Sequence, residues 1–148
     1  MKLKEEIRRQ IIENEEMELK GLKDMYATHT DASDIDEETS LGYEDFAKQD
    51  ESRESANQLR IRINQAQEAL DNFVSLSFGA KTEVGPGSLV LTDSLNFYIG
   101  ISATMFNYEN KTYIGLDVDA PIYSELNGAK AGDEITFKDQ KYKILEVL

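Results

Sequence analysis

The chain has 148 residues, of which 29 are Asp or Glu and 16 are Lys or Arg, so its formal net charge is −13. This negative charge argues against duplex nucleic acid or an anionic membrane as the main ligand. The absence of cysteine excludes disulfides, thiolate metal sites and a cysteine nucleophile. No apolar run reaches the length of a membrane span and no signal peptide is visible at the N-terminus, so we expect a soluble cytoplasmic protein.

Helix-forming residues dominate the chain up to about residue 77, a region that has no proline. Its second part has apolar residues at alternating spacings of three and four, which form a heptad seam: Ala56, Leu59, Ile63, Ala66, Leu70 and Phe73. A less regular stripe precedes it, formed by Ile12, Leu19, Leu22 and Tyr26, with Leu3, Ile7 and Ile11 slightly rotated. Two stripes separated by a polar stretch predict an antiparallel coiled-coil hairpin, with helices roughly 40–45 Å long. The alternative is a homodimeric coiled coil without a hairpin.

Most of the negative charge lies at the expected bend, about residues 29–45, or at the start of the second helix. Between Asp31 and Glu54 there are ten acidic and two basic side chains, which account for −8 of the net charge. The candidate tip residues are Asp31, Asp34, Asp36, Glu37, Glu38, Glu44 and Asp45. Like charges at one end of a hairpin repel each other, which a positive ligand such as a metal ion would relieve. The alternative is an ordinary solvated loop. An EF-hand is disfavoured because Thr39 stands where that loop needs glycine.

From about residue 79 the chain consists of β-branched and aromatic runs separated by turn residues. The predicted strands fall within residues 84–91, 96–102, 111–117, 133–138 and 142–147. A short helix is expected around residues 121–127, with Asn127 and Gly128 as its C-cap and a turn at 131–133. The predicted fold class is α+β, with a helical hairpin over residues 1–78 and a small antiparallel β domain with one short helix over residues 79–148.

The second half of the chain resembles the C-terminal domain of the Gre family of transcript-cleavage factors, which bind bacterial RNA polymerase. Three segments carry the resemblance: Val84-Gly-Pro-Gly-Ser-Leu-Val, the ungapped block Asp119-Ala-Pro-Ile-Tyr-Ser-Glu-Leu-Asn-Gly-Ala-Lys-Ala-Gly-Asp133, and Tyr142-Lys-Ile-Leu-Glu-Val. The resemblance implies an FKBP-like fold that docks on a coiled coil at the rim of the polymerase secondary channel. By position, the docking residues would be Asp119, Ala120 and Pro121, with alanine in place of the family's serine. These residues also suit a helix start, with Asp119 near the N-cap.

The first half resembles the Gre hairpin less closely. In that family the hairpin enters the secondary channel, and two acidic residues in an Asp-x-x-Glu-Asn-x-Glu-Tyr pattern help to hold the second Mg²⁺ of the polymerase active site. Two-metal hydrolysis needs that ion, and carboxylates are suitable ligands for it. An ungapped alignment from Leu70 places Asp45 at the Glu position but Gly42 at the Asp position, so the tip departs from the family pattern.

Three possibilities follow for the tip. Glu44 or Asp45, with an upstream carboxylate, could share Mg²⁺ with the polymerase and promote cleavage. The tip could instead occupy the channel and modulate or inhibit the polymerase, or it could be inert.

The resemblance thus implies an accessory factor that is not an enzyme in its own right. It would have no cofactor of its own, and at most would share Mg²⁺ with the polymerase through Glu44 and Asp45. Its partner would be bacterial RNA polymerase, and it would contact nascent RNA only indirectly. We expect it to bind neither a membrane nor duplex DNA directly, and we expect a monomer. Two alternatives are a coiled-coil interaction module without polymerase activity and an FKBP-type prolyl isomerase or chaperone. The aromatic residues lie at strand positions, where core packing is expected.

Overall fold

Two long helices, a mixed sheet and one short helix make up the described chain. The structure, a computed structural model, describes residues 2–33 and 43–148, and the side chains of residues 2–28, 51 and 53–148. Helix α1 is Lys2–Ser33 and helix α2 is Tyr43–Ser75. Helix α1 extends beyond the predicted start of the bend because no proline or glycine interrupts it after Gly21. The predicted α+β class is confirmed.

The sheet follows the helices along the chain. Its strands are β1 Leu89–Thr92, β2 Asn96–Ile99, β3 Ala103–Tyr108, β4 Lys111–Leu116, β5 Glu134–Phe137 and β6 Gln140–Val147, with helix α3 (Tyr123–Leu126) between β4 and β5. Their order across the sheet is β3-β4-β2-β1-β6-β5. Each of the five predicted runs overlaps one of these strands. The predicted short helix and its glycine turns are also confirmed, since Gly128 and Gly132 have φ of 80° and 93°.

One strand pair departs from the antiparallel sheet that the sequence predicts. Strand β2 runs parallel to β4, with Phe97 opposite Ile114 and Ile99 opposite Leu116. The other pairs within the described sheet are antiparallel. The reason is β3, which follows β2 in the chain, lies outside β4 at the sheet edge and reverses the chain before β4 begins. Alternation along a strand indicates which side chains are buried, but it does not identify the neighbouring strand.

Strand β3 is absent from the predicted runs. Its residues Thr104 and Met105 are exposed, so the strand lacks a clear alternating pattern. It joins β4 through a two-residue turn in which Glu109 and Asn110 have φ of 48° and 65°. A hairpin turn with positive φ at both central residues usually contains glycine, and the absence of glycine here weakens the sequence signal.

Alternate residues of a strand point to opposite faces of the sheet. Both faces are covered, since the buried residues form one core on each side of the sheet. One core lies on the side of α3 and contains Val84, Val90, Phe97, Ile99, Leu116, Ile122, Tyr123, Leu126, Ile135, Ile144 and Val147. The other core contains residues of both long helices: Ile7, Ile11, Leu70, Phe73, Leu89, Tyr98, Ile101, Ala103 and Tyr113. In this second core the Tyr98 ring meets the Phe73 ring edge-on, with centroids 5.2 Å apart. The start of α1 and the end of α2 therefore belong to the core of the sheet domain.

The chain divides into two compact units. The first comprises Met1–Glu13 and Leu70–Leu148, and the second comprises Asn14–Ala69. In the second unit the predicted seam residues Ala56 and Leu59 are buried, as is Leu19 of the preceding stripe. The predicted domain boundary between residues 78 and 79 lies just after the end of α2 and stays a prediction.

The two long helices are paired within one chain at their base, where Ile7 and Ile11 of α1 share a core with Leu70 and Phe73 of α2. This pairing agrees with the predicted hairpin, and within the first unit it needs no second copy of the chain. Over the described residues, no helix combines the length and apolar content needed to cross a membrane.

Candidate functional site

The predicted docking residues lie in the loop between β4 and α3. Asp119 and Pro121 are exposed, whereas Ala120 is half-buried and packs against the core on the α3 side. The backbone N–H of Ala120 donates to the Asp117 carbonyl at 3.0 Å, and the Tyr123 N–H donates to the Ala120 carbonyl at 3.0 Å. The loop thus presents Asp119 and Pro121 at the surface and anchors Ala120 between them.

The start of α3 does not use Asp119. The N-cap residue is Ile122, which makes no side-chain capping hydrogen bond, so Pro121 precedes the cap and Asp119 lies three residues before it. The alternative role of these residues as a helix start is therefore wrong. Instead, the Ser124 hydroxyl donates to the Pro121 carbonyl at 2.9 Å. The Asp119 carboxylate is therefore not needed for the helix start.

The far end of α3 is tied to the segment that precedes β1. The N–H of Gly128 donates to the Val84 carbonyl at 2.9 Å, and the Val84 N–H donates to the Ala129 carbonyl at 2.8 Å. Tyr123 is buried on the inner side of α3, and burial raises the pKa of its hydroxyl. Two segments that carry the family resemblance, around Val84 and around α3, are thus joined by direct backbone hydrogen bonds.

The charge of this region is uniformly negative. Residues 112–129 contain Asp117, Asp119 and Glu125 but no Lys, Arg or His. Asp119 and Glu125 are exposed, while Asp117 is half-buried and accepts a hydrogen bond from the Val118 N–H at 2.7 Å. The charged side chains of this segment are therefore all acidic.

The predicted acidic tip lies at the limit of the described chain. Asp31 belongs to α1, and Glu44 and Asp45 belong to the first turn of α2; their side chains are outside the described set, and Asp34, Asp36, Glu37 and Glu38 lie outside the described residues. Among the side chains that the structure does describe, no group of three or more His, Asp or Glu could hold a metal ion. The Mg²⁺ site that the tip would share with a polymerase stays a prediction.

Two cations of α1 contact the end of α2 and the segment that follows it. The buried Lys4 Nζ donates to the Gly79 carbonyl at 2.9 Å. The Arg8 Nη2 donates to the Val74 carbonyl at 2.9 Å, and its guanidinium lies 4.6 Å from the centre of the Phe78 ring. Helix α2 has no basic residue in its own last turn, and Arg8 of α1 supplies a cation of the kind that the carbonyl end of a helix favours.

The burial of Lys4 was missed by the sequence analysis. Lys4, Ile7 and Ile11 are spaced by three and four residues, so they share one face of α1, and this spacing was the available signal. Burial, together with the nearby Lys81 ammonium, lowers the pKa of Lys4 to about 8. A charged residue at a seam position indicates a specific polar partner, which here is the Gly79 carbonyl.

Two tyrosines of the sheet also contact or face α1. The Tyr108 hydroxyl donates to the Glu6 carboxylate, and this hydrogen bond, with burial, raises the pKa of Tyr108 to about 12. Burial likewise raises the pKa of Tyr98 to about 12, and the Arg8 charge opposes that shift. Among the described side chains, the Tyr98 hydroxyl is a buried polar group without a hydrogen-bond partner.

Aromatic residues of the sheet serve as core residues. Phe97 is 2% exposed, and Tyr98 and Tyr113 are each 1% exposed. The Phe97 ring packs edge-on against Tyr142, with centroids 5.6 Å apart. The expected use of these residues in packing is confirmed.

Comparisons with known proteins gave structural neighbours only. No protein-family model and no curated protein matches the chain. The crystal structure of GreA factor homolog 1 (Gfh1) of Thermus thermophilus is 16% identical, the alignment covers 97% of this chain and 93% of that chain, and the TM-score is 0.35. A structure of the transcription factor Gfh1 is 17% identical, with coverages of 96% and 91% and a TM-score of 0.34. At these values the likeness carries no argument about function, and the fold assignment is based on the elements of the chain itself.

Proposed function

We propose that this protein is a Gre-like transcription factor that binds bacterial RNA polymerase at its secondary channel. The sheet domain docks on the coiled coil at the channel rim by means of the loop that contains residues 119–121. The helical hairpin enters the channel, and its acidic tip extends toward the active-site Mg²⁺. The protein acts on the catalytic centre of the polymerase and has no enzymatic activity of its own.

The observation that carries this proposal is the presentation of Asp119 and Pro121. Both are exposed on a hydrogen-bonded loop, and both lie in the ungapped block that resembles the docking segment of the Gre family. Ala120, which replaces the family's serine, has its backbone groups engaged within the loop and its side chain against the core. Its role is therefore to hold the loop, and the contact to the partner is made by its two neighbours.

The charge distribution supports the second half of the proposal. Ten acidic and two basic residues between Asp31 and Glu54 concentrate negative charge where the hairpin is expected to turn. Mutual repulsion of exposed carboxylates costs a few tenths of a kcal/mol per close pair. A cation that the tip shares with the polymerase in the channel would offset this cost. If the tip does not promote cleavage, its negative charge would still act on the metal site of the polymerase.

Polymerase binding tests the docking assignment. The double variant Asp119→Ala, Pro121→Ala should bind immobilised bacterial RNA polymerase at least about tenfold more weakly than the wild type, because it loses the acidic and the rigid part of the contact. The matched control is Glu134→Ala, Pro86→Ala, which also removes one exposed acidic residue and one exposed proline. Equal affinity of the two double variants would contradict the docking assignment.

Transcript cleavage tests the action of the tip. The purified protein is added to a stalled, backtracked transcription complex in Mg²⁺, and the length of the RNA 3′ end is followed. Faster shortening that is lost in a Glu44→Ala, Asp45→Ala variant would establish a cleavage factor. Absence of shortening, with competition against a channel-binding factor, would establish a modulator. Absence of both effects would contradict the proposed function.

A further inference from the structure

An exposed apolar side chain lies within the acidic docking loop. Val118 stands between Asp117 and Asp119 and is 42% exposed. Met105 and Leu145 of the sheet domain are exposed to 53% and 55%, but both lie outside the acidic segment of residues 112–129, which contains no basic residue. Isolated apolar residues at the surface are common, so the position of Val118, rather than its exposure alone, distinguishes it.

The backbone on both sides of Val118 is held in place. The Val118 N–H donates to the Asp117 carboxylate at 2.7 Å, and the Ala120 N–H donates to the Asp117 carbonyl at 3.0 Å. The next residues, Ala120 and Ile122, are packed against the core. A valine side chain has a single, restricted rotatable bond. Little conformational entropy would therefore be lost when this side chain is buried by a partner.

The charge of the loop defines the chemistry of that partner. Asp119 and Glu125 are exposed on the same segment as Val118. An apolar residue among carboxylates fits a surface in which Lys or Arg side chains surround a small apolar depression. Burial of Val118 there would exclude water from the neighbouring charge pairs and strengthen them.

We propose that Val118 is the apolar anchor of the docking loop, and that its site on RNA polymerase is a small apolar depression bordered by basic side chains. This inference rests on the proposed function and deepens it by identifying which residue beyond 119–121 makes the contact. Asp119 pairs with the basic border, and Glu125 contributes to the steering of association.

The test measures the binding of single variants to immobilised bacterial RNA polymerase. Val118→Ala should raise Kd roughly fivefold to tenfold, as expected for removing two methyl groups from a buried contact. Val118→Thr keeps the branched shape but adds a hydroxyl, so it should weaken binding to a similar degree. The matched control is Leu145→Ala, which removes a more exposed apolar side chain from β6 and should change Kd less than twofold.

A second arm tests the basic border. Glu125→Gln should slow association and reduce its salt dependence relative to Glu134→Gln, because electrostatic steering acts mainly on the association rate. Circular dichroism melting curves of all variants should superimpose on the wild type, since each changed side chain is exposed.

The outcomes separate this inference from the proposed function. If the wild type does not bind polymerase, both are overturned. If the Asp119, Pro121 double variant loses binding but Val118→Ala and Val118→Thr match Leu145→Ala, the docking assignment stands and the anchor is overturned. If both Val118 variants bind weakly while Leu145→Ala binds normally, the anchor is established.

Discussion

The buried Lys4 predicts an unusual dependence of stability on pH. Its pKa is lowered from 10.5 to about 8, mainly by burial and secondly by the Lys81 ammonium. Between these two pKa values the unfolded chain binds more protons at this position than the folded chain does. The free energy of unfolding should therefore increase as the pH rises from about 8 toward 10.5.

The size of the effect follows from the shift. A difference of about 2.5 between the two pKa values lowers the free energy of unfolding at pH 7 by at most about 3 kcal/mol. Most of this loss disappears by pH 10, because the unfolded chain then also begins to lose the proton. Lys4→Met removes the charge but also the hydrogen bond to the Gly79 carbonyl, which costs roughly 1 kcal/mol. The variant should therefore be more stable than the wild type by up to about 2 kcal/mol at pH 7, and this advantage should shrink steadily as the pH rises to 9.5.

Urea unfolding, monitored by near-ultraviolet circular dichroism at several pH values between 7 and 9.5, measures the free energy of unfolding of the wild type and of Lys4→Met. The range stops below 10 because Tyr98 and Tyr108, whose pKa values are raised to about 12, would reverse the trend above pH 10. Lys2→Met is the control, since Lys2 is an exposed lysine near the start of the same helix. If wild type and Lys4→Met have the same pH profile, the assignment of Lys4 as a charged, buried residue is refuted.

Two further predictions concern the core that the helix ends share with the sheet. Phe73→Ala should lower the free energy of unfolding by about 3–5 kcal/mol, because Phe73 is buried against Tyr98. The control is Val74→Ala at the neighbouring exposed position, which should change the free energy of unfolding by less than about 0.5 kcal/mol. Equal effects of the two variants in urea titrations would contradict the packing. A fragment of residues 79–148 lacks both helix ends and leaves Leu89 and Tyr98 uncovered, so it should bind a hydrophobic dye and melt without a cooperative transition. A sharp melting curve like that of the full chain would show that the second core is dispensable.

Much of the local structure could be predicted from the sequence. The heptad spacing of α2 identified Leu59, Leu70 and Phe73 as seam residues, and all three are buried. Turn chemistry located the end of α3, because a residue with φ of 80° at Gly128 favours glycine. These features depend on residues near each other in the chain, so their physical cause is present in the local sequence.

The candidate site was only partly predictable. The resemblance identified Asp119 and Pro121, and the structure places both at the surface of the loop before α3. It did not indicate that Ala120 packs against the core, nor that Val118 is exposed beside them. Whether a loop side chain faces the core or solvent depends on which strands and helices lie below it, and loop sequence has no periodicity that reports this.

By itself the sequence determined the kind of each element: periodicity and propensity are local properties, so they specified the helical hairpin, five of the strands and the short helix. Only the tertiary structure decided which strands are neighbours, and it made β2 parallel to β4 through the edge position of β3. It also decided that the ends of α1 and α2 cover one face of the sheet and bury Lys4. An apolar face signals that something must cover it, but the covering element is selected by contacts between residues far apart in the chain.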